Sequence, residues 1–316
     1  MRALVFDGET ATVVDRPRPR LAEGQVLLAG RLAGICNTDL EIVRGYMGFT
    51  GTLGHELVGV VEEGPLEWRG KRVTSEINFA CGRCEMCAAG LGRHCPNRSV
   101  MGILSQDGAF AERVAVPIAN LHAIPDAVSD EEAVFVEPLA AAFEIAEQIP
   151  RLEGREALVL GDGKLGLLVA QVLHHHGARV LAVGKHDDHL ALLADRGIAT
   201  SLLADWDRTR RDLVVEATGS REGFELAMAA TRPRGHLVLK STVADRGPID
   251  LAPLVIDEIT VVGSRCGPFA PAIEALASGA IAVRPMIAAR FGLEDAPTAL
   301  AAAGERGALK VLLELG

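Results

Sequence analysis

Short apolar or alternating runs dominate the first 125 residues of the chain, and glycines and prolines separate them at short intervals. This spacing predicts a β-rich region with tight turns. One short helix is expected directly after Cys36, and a loop rich in cysteine and glycine spans residues 79–98. The predicted strands lie at Ala3–Phe6, Gln25–Ala29, Leu57–Glu62, Arg72–Glu76 and Phe110–Pro117.

The pattern changes near residue 130, where Ser129 and three following acids predict the start of a helix. Beyond a longer helix at Pro138–Gln148, strand-like and helix-like segments alternate. This alternation predicts a parallel sheet with helices on both faces. The predicted strands are Glu156–Leu160, Val180–Val183, Leu213–Val215, His236–Leu239 and Ile259–Val262, and the predicted helices are Leu165–His175, Asp188–Asp195 and Glu222–Ala230. The tail adds helices at Pro271–Ala277 and Ala296–Ala303 and a strand at Ala308–Leu313.

The sequence thus predicts an α/β protein that combines a β-rich domain with a doubly wound parallel-sheet domain. A length of 316 residues fits two domains, and 49% hydrophobic with 23% charged residues excludes bulk disorder. A net charge of −10 argues against a nucleic-acid partner, which would need a basic face. No apolar run is long enough for a membrane span, and an acid as early as Asp7 is unlike a signal peptide, so we expect a cytoplasmic protein.

A glycine-rich loop follows the strand that begins the alternating region. Its sequence is Gly161-Asp162-Gly163-Lys164-Leu165-Gly166, a G-x-G-x-x-G pattern that runs into a helix. The first glycine permits a tight turn, the second lets the backbone approach a pyrophosphate, and the third lets helix and strand pack closely. In this βαβ context the loop predicts a dinucleotide site, although a plain tight turn is the alternative.

The residues after the second strand of that region bear on the choice of nucleotide. An acid is expected there to bind a ribose 2′-hydroxyl, but Gly184 takes its place and Lys185 follows. Glycine leaves room for a 2′-phosphate and lysine can pair with it, so the sequence favours NADP over NAD. In the alternative, Asp187 or Asp188 reaches the ribose. Asp162 is an unexpected acid beside a pyrophosphate, and Lys164 could offset it.

Four cysteines fall within fifteen residues, at Cys81, Cys84, Cys87 and Cys95. In a reducing compartment such clustering favours a metal over disulfides. Four thiolates complete the tetrahedral shell of Zn²⁺ and leave no open position. The loop therefore predicts a structural zinc site.

A second set of candidate ligands is scattered along the chain. Cys36, His55 and Glu137 offer one thiolate, one imidazole and one carboxylate, which suits an open zinc site. Spacing alone is weak support, because a single cysteine or histidine is more often part of a core.

These residues carry a resemblance to the zinc-dependent medium-chain alcohol dehydrogenases, and most closely to the polyol and threonine dehydrogenase branch. The similar segments cover nearly the whole chain: residues 34–39, 54–59, the four-cysteine loop, 137–140, 161–166 and 216–219. The resemblance implies a GroES-like catalytic domain at residues 1–137 and 266–316. It also implies a Rossmann dinucleotide-binding domain at residues 138–265.

The resemblance also implies roles at the scattered set. Cys36, His55 and Glu137 would bind a catalytic zinc, with Glu56 close behind the metal and able to exchange as a ligand. Asp39 would orient His55, and Thr38 would accept the proton of the substrate hydroxyl.

Lys310 would be a cation near the pyrophosphate. Each role has a plainer alternative. Thr38 and Asp39 could cap the helix after Cys36, Glu56 could be a buried ion-pair partner, and Lys310 could lie on the surface.

The implied activity is hydride transfer between a primary or secondary alcohol, or a polyol, and NADP or NAD. Its partner is a small alcohol or carbonyl substrate, with one catalytic and one structural zinc as cofactors. The strand near residues 259–263 could pair across a two-fold axis, so we expect a homo-oligomer, at least a dimer. The alternatives are a non-catalytic dinucleotide-binding relative with a redox-sensing or structural role, and a zinc-free quinone reductase.

Overall fold

A computed structural model describes residues 1–241 and 249–316 of the chain. Its strands are β1 (Arg2–Phe6), β2 (Ala11–Asp15), β3 (Gln25–Gly34), β4 (Gly51–Thr52), β5 (Glu56–Glu63), β6 (Arg72–Ser75), β7 (Asn78–Phe79), β8 (Ser99–Met101), β9 (Ser105–Gln106), β10 (Arg113–Pro117), β11 (Leu121–Ala123), β12 (Glu156–Leu160), β13 (Arg179–Gly184), β14 (Ala199–Leu202), β15 (Arg211–Glu216), β16 (Thr231–Leu239), β17 (Thr260–Gly263), β18 (Ile287–Gly292) and β19 (Lys310–Glu314).

The helices are α1 (Asn37–Val43), α2 (Glu85–Ala88), α3 (Asp130–Ala133), α4 (Val136–Gln148), α5 (Lys164–His175), α6 (Asp187–Ala194), α7 (Arg221–Ala230), α8 (Ala252–Ile256), α9 (Phe269–Ala277) and α10 (Ala296–Ala303). The helix start predicted at Ser129 is confirmed. The Ser129 hydroxyl accepts the Glu132 N–H, and the Glu132 carboxylate accepts the Ser129 N–H.

The chain divides into two compact units. The first consists of Met1–Glu137, Ile273–Ala277 and Val283–Gly316, and the second of Pro138–Ala272 and Ser278–Ala282.

The first unit is built around β3, which is ten residues long and mostly buried. It pairs antiparallel with β5, β10 and β19 in a seven-stranded sheet of order β11-β6-β5-β3-β19-β18, in which β10 also pairs with β3. β3 therefore has paired neighbours on both edges, and seven of its ten residues are buried. The predicted β-rich region is confirmed, and the sheet brings the ends of β3, β5 and β19 together.

The second unit contains a six-stranded sheet of order β14-β13-β12-β15-β16-β17, in which every pair is parallel. Relative to chain order this is 3-2-1-4-5-6, the order of doubly wound dinucleotide-binding folds. The predicted fold class is confirmed. The central strands of this sheet carry fully buried apolar side chains, as at Leu158, Val214 and Leu237. In such a fold, ligands bind at the carboxyl ends of the strands, where the loop after β12 lies.

Candidate metal centres and dinucleotide loop

Cys36, His55 and Glu56 come together because two paired strands end at the same place. Cys36 follows the end of β3, and His55 immediately precedes β5, with Gly34 opposite Glu56 in the ladder. One ligand atom from each of the three residues lies within 4.8 Å of the others. A side chain at Gly34 would collide with the Glu56 carboxylate, so the strand needs glycine there.

The Asp39 carboxylate lies next to this cluster and contacts its backbone and the His55 side chain. Its Oδ2 accepts the Cys36 N–H at 2.8 Å, and its Oδ1 accepts the Gly54 N–H at 3.2 Å. The same Oδ1 lies 3.2 Å from Nδ1 of His55, and both side chains are buried. Burial disfavours the charged imidazole, but the neighbouring Asp39 and Cys36 outweigh it and raise the pKa of His55. Asp39 therefore holds the start of α1 and lies within ion-pair distance of the imidazole, whose Nδ1 makes no well-aligned hydrogen bond among the described residues.

Glu56 also forms an ion pair with Lys310, the first residue of β19. The Lys310 Nζ lies 2.5 and 2.7 Å from the two carboxylate oxygens of Glu56, and it also faces the ring of Phe135 at 5.6 Å. Lys310 is 1% exposed. Burial opposes its charge, but Glu56 outweighs burial and raises the pKa of Lys310. Lys310 and Glu56 therefore form an ion pair whose side chains are 1% and 0% exposed.

Thr38 and Glu137 lie at the edges of the cluster. The Thr38 hydroxyl is 3.7 Å from the Cys36 sulfur. Glu137 lies in the first turn of α4 and is 9% exposed. It is not a member of the set within 4.8 Å, although its charge contributes to the raised pKa of Lys310. Of the residues predicted here, the structure brings Cys36 and His55 together with Glu56, whereas Glu137 lies outside this set.

The four cysteines of the loop converge on one point, with one sulfur from each within 4.8 Å of the others. The Cys84 sulfur lies 3.5 Å from that of Cys87 and 3.7 Å from that of Cys95. Four sulfurs around Zn²⁺ with bonds of about 2.3 Å would be about 3.8 Å apart, so the loop fits a zinc ion.

The pKa values of two of these thiols, Cys81 and Cys84, are shifted in opposite directions. Backbone N–H groups, first that of Arg83, favour the Cys81 thiolate and lower the pKa of Cys81 to about 6. The Cys87 backbone favours the Cys84 thiolate, but burial and the neighbouring sulfurs outweigh it and raise the pKa of Cys84 to about 11. Four adjacent sulfurs cannot all ionise without a cation, which a bound metal would supply.

The glycine-rich loop has the geometry that its sequence predicts. Gly161 has φ +115°, and a side chain there would meet the Ala217 carbonyl. A side chain at Gly166 would collide with the Gly161 carbonyl, while Gly163 is open and precedes α5, which begins at Lys164 and Leu165. The loop thus leads into the N-terminus of α5, the part of a helix whose N–H groups bind anions in dinucleotide-binding folds.

Asp162 does not face the start of α5. Its Oδ2 accepts the backbone N–H groups of Lys185 and His186, each at 2.7 Å, and lies 3.0 Å from Nδ1 of His186. A side chain at Gly184 would collide with this carboxylate. Burial opposes the charge of Asp162, but the two amides outweigh it and lower the pKa of Asp162. Lys185 is exposed.

Asp162 also belongs to a third cluster of possible ligands, with His186 and His189. His189 places its Nδ1 2.9 Å from the Asp162 backbone carbonyl oxygen. These hydrogen bonds are sufficient to explain why the three residues lie close together. The sequence predicted only that Lys164 could offset Asp162, whereas in the structure the Asp162 side chain bonds to Lys185 and His186. The sequence feature that could have revealed this contact is the glycine at position 184, because the Asp162 carboxylate occupies the space that a side chain there would fill.

Comparison with known proteins identifies two protein families along the chain. Residues 22–126 match the alcohol dehydrogenase GroES-like domain, and residues 165–278 match the zinc-binding dehydrogenase family. The chain is 31% identical to an L-threonine 3-dehydrogenase of Streptomyces avermitilis, over 96% of this chain and 95% of that protein.

Two solved structures are similar over almost the full length. A zinc-binding dehydrogenase from Sinorhizobium meliloti bound to NADP has a TM-score of 0.90 at 27% identity, and covers 99% of this chain and 98% of its own. An alcohol dehydrogenase from E. coli complexed with NADH has a TM-score of 0.91 at 25% identity, and covers 100% of this chain and 99% of its own.

The chain belongs to the zinc-dependent medium-chain alcohol dehydrogenases, as the resemblance in its sequence predicts. It is an NAD(P)-linked oxidoreductase that transfers a hydride between an alcohol or polyol and the nicotinamide cofactor. Among the described residues, no helix combines the length and the apolar character needed to cross a lipid bilayer.

Proposed function

We propose that Cys36, His55 and Glu137 hold the catalytic zinc of this dehydrogenase. The observation that carries the proposal is the meeting of the Cys36 thiol and the His55 imidazole, both fixed by Asp39. One thiolate, one imidazole and one carboxylate leave a tetrahedral ion with an open position for substrate. Thiolate and carboxylate together also balance the charge of Zn²⁺.

The choice between two carboxylates follows from Lys310. Both oxygens of Glu56 lie within 2.7 Å of its ammonium group, which weakens Glu56 as a ligand. Glu137 is mostly buried and close enough for its charge to act on Lys310. We therefore keep Glu137 as the third ligand and Glu56 as an alternative that must first leave Lys310. A role for Lys310 at the pyrophosphate remains a prediction.

The side chains around the cluster have different roles in the reaction. When bound, zinc acts as a Lewis acid on the substrate oxygen, and the nicotinamide ring accepts or returns the hydride. Thr38, beside the Cys36 sulfur, would relay the proton of the substrate hydroxyl by taking it up while releasing its own hydroxyl proton to solvent. Asp39 acts as a positioning residue, because it orients the His55 ring through Nδ1.

The second zinc is proposed to lie in the loop of Cys81, Cys84, Cys87 and Cys95. Support comes from sulfur spacings close to those around a tetrahedral ion. Because all four positions are taken by protein, this zinc would hold the shape of the loop. The clustered thiols also favour a reducing, cytoplasmic location.

Nucleotide binding is assigned to the loop at residues 161–166. The preference for NADP over NAD rests on the missing side chain at Gly184 and on the exposed Lys185. Of the two structural relatives described, one holds NADP and the other NADH. Both nucleotides are thus found among the similar structures, and the Asp162 carboxylate beside Gly184 bears on the choice between them. The substrate class follows the threonine dehydrogenase relative, which makes a polyol or an amino alcohol the first substrates to try.

We also propose that the protein forms at least a dimer. Strand β17 is at the end of its sheet order and pairs only with β16 among the described strands. Apolar side chains nearby are exposed, with Val255 and Ile256 each at 77%. An open strand edge beside apolar side chains suits pairing with a second copy. The molar mass in solution tests this: the Ile256→Glu variant should move toward the monomer, and a monomeric wild type would contradict it.

The catalytic assignment is tested by zinc content and alcohol oxidation in the Cys36→Ala variant. We expect two zinc ions per chain in the wild type and one in the variant. Oxidation should fall by about a thousandfold, because metal polarisation contributes several kcal/mol to the transition state. Cys266→Ala, outside both cysteine sites, is the matched control and should keep both ions. Unchanged oxidation in Cys36→Ala would overturn the assignment.

A further inference from the structure

Asp162 brings a carboxylate to the place from which dinucleotide-binding folds select their nucleotide. In such folds an acid at the end of the second strand binds the ribose 2′-hydroxyl and repels a 2′-phosphate. Here that position is Gly184, the last residue of β13. The Asp162 carboxylate lies within contact of the point where a Gly184 side chain would begin. The acid that the second strand lacks is thus supplied by the glycine-rich loop.

The same carboxylate accepts hydrogen bonds from the backbone N–H groups that a 2′-phosphate would need. The N–H groups of Lys185 and His186 both point at Oδ2 of Asp162, at 2.7 Å. Successive backbone N–H groups of this kind form a common anion-binding concavity. With Asp162 in place, the concavity is filled by a group of the same charge as the phosphate.

The charge and the position of Asp162 are both well fixed. The residue is 7% exposed, and His186 adds a third contact to Oδ2 at 3.0 Å. Displacing the carboxylate would therefore cost three hydrogen bonds. Lys185 is exposed and can offer only one flexible ammonium group in return.

We infer that Asp162 is the specificity-determining residue for the nucleotide and that it makes the enzyme select NAD over NADP. The inference rests on the proposed dinucleotide site. It departs from the preference that Gly184 and Lys185 predict, because that prediction treats the space at residue 184 as empty. Asp162 fills this space with a negative charge.

The test is calorimetric titration of the purified full chain with NADH and with NADPH, which measures binding without turnover. Wild type should bind NADH more tightly. Asp162→Asn keeps the shape and removes the charge, and Asp162→Ser also opens the two amides. Each variant should shift the ratio of the two Kd values toward NADPH, by about tenfold for the serine variant.

Three further variants separate the possible causes. Asp195→Asn removes an exposed acid at the other end of α6 and should leave the ratio unchanged. Asp187→Asn and Asp188→Asn test the alternative in which an acid of α6 binds the ribose, and a shift in either would overturn the inference. Thermal unfolding of each variant shows that it is folded, and the asparagine variant suffices if serine destabilises the loop.

The outcomes distinguish this inference from the proposed function. A wild type that binds NADPH more tightly, or an unchanged ratio in Asp162→Asn, would overturn the role of Asp162 and leave the dehydrogenase intact. Failure of the wild type to bind either nucleotide would contradict the dinucleotide site itself. A shift toward NADPH in Asp162→Asn, with Asp195→Asn unchanged, would support the inference.

Discussion

The two metal-ligand clusters of this protein are built in opposite ways. The four-cysteine loop draws all its ligands from residues 81–95 and holds them on a short loop with one helical turn. The Cys36 cluster takes its groups from the ends of separate strands, which meet only because β3 pairs with β5 and β19. We therefore expect the local cluster to depend on a bound metal for its shape, whereas the cluster at the strand ends is held by the sheet.

The largest expected effect tests the dependence of the loop on its metal. Cys84→Ser should lower the apparent Tm by about 10 °C, because the loss of a structural metal removes several kcal/mol. Cys36→Ala should change the Tm little, since the sheet and Asp39 hold that site without the metal. Differential scanning calorimetry compares both variants with Cys266→Ser as the control. Equal decreases in Tm in Cys84→Ser and Cys36→Ala would show that the two clusters do not differ in their dependence on a metal.

The loop should also lose zinc as the pH falls. Thiolates bind the ion and protons compete for them, so affinity should fall with decreasing pH throughout. The fall should steepen below about pH 6, where Cys81 begins to take up its proton. Zinc release to a colorimetric chelator across this range measures the effect.

A smaller effect is expected at the buried pair behind the Cys36 cluster. Lys310→Met leaves the Glu56 charge buried and alone, which should lower the free energy of unfolding by about 3–5 kcal/mol. The double variant Lys310→Met with Glu56→Leu should recover much of this loss. Urea unfolding measures both, and Arg44→Met, from an exposed pair with Glu41, is the control and should cost less than about 1 kcal/mol. A single variant as stable as the control would show that the pair carries little stability.

The smallest effect concerns the orientation of the His55 ring. Asp39→Asn keeps the side-chain shape but removes its charge, so zinc should bind the Cys36 cluster about tenfold more weakly. Competition with a chelator of known affinity measures this change, with zinc at the four-cysteine loop as the internal reference. Unchanged affinity would show that Asp39 acts only at the start of α1.

The sequence predicts local features of this molecule well. The parallel sheet follows from the strand and helix rhythm after residue 130, and the four-cysteine loop follows from its spacing. The weaker strands were not predicted, among them β2, β14 and β18, because their short mixed sequences acquire a strand conformation only by pairing with neighbours.

Long-range contacts explain the rest of what the sequence did not predict. The bond between Lys310 and Glu56 joins residues 254 positions apart, and no local pattern marks it. Likewise, the role of Gly184 depends on a carboxylate 22 positions earlier in the chain, which only the parallel pairing of β12 and β13 brings alongside. Such contacts depend on how strands are ordered in a sheet rather than on the residues next to them.

The shared space of Asp162 and Gly184 makes these two positions mutually dependent. An acid cannot be introduced at 184 while Asp162 is present, because the two side chains would overlap. Removing Asp162 first would leave the Lys185 and His186 amides without their acceptor. A change that moves the acid from position 162 to position 184 therefore has to alter the two positions together or pass through a destabilised intermediate sequence.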